Sequence, residues 1–74
     1  MDMDARQWLQ AFAERIGTDP PSEADIETLL ALAGVAAHAS ERTAAPITCW
    51  LTARAGIPPE RALELARELS PPPS

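Results

Sequence analysis

Residues 23–39, EADIETLLALAGVAAHA, most constrain what this chain can become. Helical periodicity sets Ile26, Leu29, Leu30, Ala33 and Ala37 on one face and Leu32 and Val35 on another, leaving little polar circumference after the first turn. A helix of that kind persists in water only when neighbours cover more than one of its sides. The rest of a 74-residue chain must supply them.

Three flanking segments have the required pattern. Asp4 is placed to cap a first helix running to about Ile16, whose apolar positions Ala5, Trp8, Leu9, Phe12 and Ile16 share one stripe. Gly17 then suits a residue of positive φ, and Asp19-Pro20-Pro21 blocks continuation. Ser22 followed by Asp25 resembles a capping box, which starts the second helix at about Glu23. Acids at Asp19, Glu23, Asp25 and Glu27 favour that amino end and lack the alternation and glycine of a calcium loop. Gly34, inside the helix, either admits a crossing backbone or is a tolerated small residue.

After a polar corner, Thr43 or Ala45 begins a third helix with Pro46 in its first turn, Thr43 being the better cap. Ile47, Trp50, Leu51 and Arg54 fall on one side of it, and Ala45, Cys49 and Ala53 nearly opposite, so two neighbours are implied. Gly56 stops it. Pro58 and Pro59 open a fourth helix to about Leu69, with Ala62, Leu65, Ala66 and Leu69 inward and Glu60, Arg61, Glu64, Arg67 and Glu68 in solvent. Ser70 and Pro71-Pro72-Pro73 form an extended tail. No strand-period segment interrupts the series. The expected fold is all-α, a small four-helix bundle with a buried central second helix, in one domain over 1–70 with a proline-rich tail at 71–74.

Size and charge limit the function. A chain this short buries only about 60% of its unfolded surface and gains a few kcal/mol from one core, so a protein partner or a homodimer is expected. Cys49 is the single cysteine, which excludes an internal disulfide and leaves no zinc cluster. No metal or cofactor is expected, and Cys49 reads as a half-buried small side chain rather than a redox site. MDMDARQW carries acids where a secretion signal needs positive charge, and no segment is long and apolar enough to span a bilayer, so a soluble cytoplasmic protein is expected. Net charge is −5. The excess acid lies before residue 41, and no cationic stripe exists to hold nucleic acid.

The corner between helices two and three is the one chemically distinctive stretch. His38, Glu41 and Arg42 stand at spacings of three and four, which on one helical turn gathers an imidazole, a carboxylate and a guanidinium. One reading is structural: a histidine near a helix carboxyl end meets the dipole and terminal carbonyls, and Arg42 clamps loop carbonyls, Glu41 or Asp25. The other is that His38, Glu41, Arg42 and Thr43 form a small site for an anion or a partner carboxylate. Ser40, Thr43 and Thr48 lie near, but nothing pairs a nucleophile with a base, so no catalytic residue is assigned and no enzyme is expected. Trp8 and Trp50 are either core residues or interface anchors, tryptophan being enriched at hot spots.

The run AHASERTAAP, with Trp8 and Leu9 upstream, resembles a small actinobacterial domain of unknown function that occurs alone or as the C-terminal extension of molybdenum-cofactor guanylyltransferases (MobA-like proteins), sometimes beside formate dehydrogenase genes. That domain pairs a WL helix with AH, three residues, and RPAAP; here Ala37, His38, Arg42, Ala44, Ala45 and Pro46 match. Thr43 departs from it by replacing the first proline, and so does the AGIPP segment at 55–59. The resemblance implies a helical accessory module linked to molybdenum-cofactor biosynthesis or formate dehydrogenase maturation, working by protein interaction. The alternative expectation is a small anionic-ligand domain using His38 and Arg42.

Overall fold

A computed structural model describes residues 3–69. It contains four helices, α1 (Ala5–Ile16), α2 (Glu23–Ala39), α3 (Ala44–Ala55) and α4 (Pro59–Leu69), and no strand among the described residues. The all-α expectation holds. The tail expected from Ser70 onward lies outside the described residues.

Local chemistry accounts for the helix ends. Asp4 Oδ1 accepts from the Gln7 amide at 2.8 Å while Gln7 Oε1 accepts from the Asp4 amide at 3.0 Å, so two orphan donors are satisfied reciprocally. Gly17 closes α1 at φ 83°, and the amides of Gly17 and Thr18 bond back to the last carbonyls of the helix. At α2, Ser22 Oγ accepts from the Asp25 amide at 3.0 Å. Gly56 ends α3 at φ 74° and leads directly into α4.

Thr43 is not the cap expected at α3. It has helical φ and ψ and makes no side-chain cap bond; its hydroxyl instead donates to Glu41 Oε2 at 3.5 Å. The entry is held by backbone turns, the Ala44 amide to the Glu41 carbonyl at 2.9 Å and the Ala45 amide to the Arg42 carbonyl at 3.1 Å. A Thr43 already in helical conformation cannot turn its hydroxyl toward the amides ahead of it.

The tertiary arrangement departs from a closed bundle. Helices α3 and α4 both pack closely on α2, while α3 and α4 hardly meet and the α1 backbone stands farther off, with Ala13 its one buried residue. Leu9, Ile26 and Leu30 line a shallow cleft between α1 and α2, and Arg6 pairs with Glu23. Both partners of that pair are about two-thirds exposed, which limits it to roughly 1 kcal/mol or less. The radius of gyration is 13.4 Å, against about 11 Å for a compact domain of this length.

Among the described residues Leu32, 1% exposed, is the one large side chain fully buried, and Ala13, Ala62 and Thr52 are the other buried positions. Helix α2 is therefore the shared floor for α3 and α4 without being sheathed: Leu30, on another of its faces, is 68% exposed. The inward face of α3 also differs from expectation. Ala44, Ala45, Thr48, Cys49 and Thr52 lose exposure there, while Ile47, Trp50 and Leu51 face out. Small residues on α3 let it approach the alanines of α2, and the Thr52 hydroxyl is satisfied within its own helix by the Thr48 carbonyl at 2.9 Å. On α4, Ala62, Leu63 and Ala66 turn inward, whereas Leu65 and Leu69 are 41% and 88% exposed. Its acids and arginines are in solvent, with Arg61 and Glu64 paired at 3.0 Å.

Gly34 proves to be the tolerated small residue rather than a crossing point, since a Cβ built there meets no atom within 4 Å. Gly34→Ala is expected to raise stability by up to about 1 kcal/mol through helix propensity alone. Urea denaturation followed by circular dichroism measures it, and a destabilised variant would show that something approaches this face.

Candidate functional site

The corner residues are all present at the surface, but the helical turn that was to gather them is absent. Helix α2 stops at Ala39, and Ser40 adopts φ −137° and ψ −103°. The path from His38 to Glu41 and Arg42 is consequently not helical, and the three-and-four spacing no longer stacks them. His38, Glu41, Arg42 and Thr43 are all exposed. Among the described residues no hydrogen bond or ion pair joins His38, Glu41 and Arg42, and Arg42 does not clamp Asp25. The one bond within the set is the long contact from Thr43 to Glu41.

Behind this corner lies a different feature. Val35, Ala36 and Ala39 of α2, Ser40, Ala44 and Thr48 at the start of α3, and Ala66 and Leu69 of α4 line a cleft of about 200 Å³. Apart from the hydroxyls of Ser40 and Thr48 it offers apolar walls, so it can take an aliphatic or aromatic group and has nothing to recognise an anion. Among the described residues no group of three or more His, Cys, Asp or Glu side chains is placed to hold a metal ion, and no helix is long and apolar enough to cross a membrane. Cys49 is free and half-buried on the α3 face turned toward α2.

The two tryptophans stand out more than the corner. Trp8, 53% exposed, stacks on Phe12 with ring centroids 5.1 Å apart and planes 14° from parallel, and Ile16 continues the row at 61% exposure. On α3, Trp50 is 56% exposed with the Arg54 guanidinium 5.3 Å from its ring centre, flanked by exposed Ile47 and Leu51. Both rows occupy the large-residue side of their helix. Of the sequence alternatives for Trp8 and Trp50, the structure places neither in the core.

Sequence reasoning missed that the bulky faces of α1 and α3 are about half exposed. The available signal was the count of helices against their apolar faces: α3 and α4 take up much of α2, and no further helix is left to cover the outer side of α1. A third surface, the groove between α3 and α4 over Leu32, is walled by Leu51, Ile57, Leu65 and Leu69. It exists because the two helices diverge.

One family model, described as a domain of unknown function (DUF6457), matches residues 1–70. No curated protein and no solved structure matches.

Proposed function

The chain belongs to the DUF6457 family, a domain of unknown function, and on that premise we propose that it is a non-catalytic helical module that works by docking to protein. The observation that supports this is the exposure of Trp8, Phe12, Ile16, Ile47, Trp50 and Leu51, each between 47% and 61%, on two helix faces. Single exposed apolar residues are ordinary, but contiguous aromatic and branched side chains in rows of this kind mark interaction surfaces. Tryptophan contributes large rigid area with little rotamer entropy to lose. Components of molybdenum-cofactor biosynthesis or formate dehydrogenase maturation are the candidate partner class, on the resemblance carried by Ala37, His38, Arg42, Ala44, Ala45 and Pro46.

The test compares the tagged full chain with its Trp8→Asp and Trp50→Asp variants, checked by circular dichroism for retained helix. The expected result is a defined partner, or a second copy, held by the wild type and lost from at least one variant. A strictly monomeric protein whose associations are the same with and without these side chains would overturn the reading. The reading of His38 and Arg42 as an anion site draws support only from their exposure; NMR titration of His38 with phosphate is expected to leave its ring shifts unchanged up to millimolar anion.

A further inference from the structure

We propose that the partner of this surface is a second copy of the chain, and that two copies close on each other by laying the Trp8, Phe12 and Ile16 row of α1 into the α3–α4 groove of the opposite protomer. The proposal rests on the docking-module reading and names its occupant. Ridge and groove are both present on one chain, and both leave large apolar side chains exposed among the described residues. The ridge repeats at four-residue spacing, with Trp8 and Phe12 already stacked into one plate, which is the anchor pattern of a helix seated in an apolar groove. The groove, about 370 Å³, has Leu32 as its floor and Leu51, Ile57, Leu65 and Leu69 as walls.

A protomer cannot fill its own groove while α1 keeps its seat. Helix α1 sits beside Ile26 and Leu30, which at 100° per residue stand about 120° and 160° round α2 from Leu32. Ridge and groove thus lie on different sides of α2, and a two-fold pair satisfies both at once because each chain offers what the other lacks.

Apolar area is available for the contact. Trp8, Phe12, Ile16, Leu51, Leu65 and Leu69 are between 41% and 88% exposed. With an aromatic side chain worth ~150–250 Å² in full, Trp8 and Phe12 at about half exposure present on the order of 200 Å² between them, to which the exposed parts of Ile16, Leu51, Leu65 and Leu69 add. A standard interface needs about 800 Å² per partner. None of the five groove residues named above is ionisable, and Arg54 is the one charged residue in α3.

The experiment is sedimentation equilibrium on the full chain from micromolar to millimolar, for wild type, Trp8→Glu and Leu51→Glu, with helix content checked for each. Wild type is expected at twice 7.9 kDa, and each variant at least about thirtyfold weaker in self-association, as for loss of a hot-spot residue. Mixing the two variants is the decisive arm. The Trp8→Glu chain keeps its groove and the Leu51→Glu chain keeps its ridge, so one of the two contacts re-forms and a heterodimer appears. A dimer that mixing does not restore would place ridge on ridge and overturn the proposal, as would open polymers. A monomer that binds another protein through Trp8 would overturn the second copy and keep the docking module; a monomer in which Trp8→Glu changes no association would remove both.

Discussion

Leu32→Ala is expected to leave the chain largely unfolded at room temperature. Leu32 is 1% exposed and is the sole large side chain buried to that degree among the described residues; it forms the floor on which α3 and α4 meet α2. Truncating such a leucine costs about 2 to 5 kcal/mol, the upper part applying where surroundings cannot collapse into the space. A domain of this size has only a few kcal/mol to lose. Circular dichroism against urea gives the measurement, with Leu30→Ala as the control. Leu30 is on the same helix but 68% exposed, so its loss should change stability by about 0.5 kcal/mol or less. Equal stability of the two variants would show that the core is not where Leu32 sits.

The second large effect is at a turn. Gly56 holds φ 74° between α3 and α4, a left-handed conformation that a β-branched residue adopts only with strain of roughly 1 to 3 kcal/mol. Gly56→Val is expected to lower the global unfolding free energy by that amount, because both helices it joins pack on α2. Gly17 has the same conformation, φ 83°, yet joins α2 to the helix whose backbone stands farther from the rest. Gly17→Val should therefore cost α1 its amide-exchange protection while barely moving the global urea midpoint in dilute solution. Equal global losses would mean that α1 is part of the cooperative core.

These two predictions also mark where the sequence was legible. Helix ends were readable since their signals are local: Asp4 and Ser22 at the starts, Gly17 and Gly56 at positive φ, Pro59 opening α4. The Gln7 return bond to Asp4 was equally readable from its three-residue spacing and went unused. Where a prediction extended a period beyond a helix, it lost its footing. His38, Glu41 and Arg42 share a turn only if α2 runs through Ser40, and the backbone leaves the helical region at that residue. Nothing in the residue types around Ser40 encodes a dihedral fixed by how α3 folds back on α2.

The sequence by itself determined that this chain makes four helices, where most of them begin and end, which side of α1 and α4 is greasy, and that α2 has more apolar circumference than one neighbour can cover. Only the tertiary structure decided which of those surfaces are spent. It put Thr48, Cys49 and Thr52, rather than Ile47, Trp50 and Leu51, against α2, and it left Trp8 and Phe12 in water. The physical reason is that hydrophobic burial is non-directional: it ranks faces by their wish to leave water but does not choose their partners, and small residues that allow close backbone approach can win a contact over larger ones.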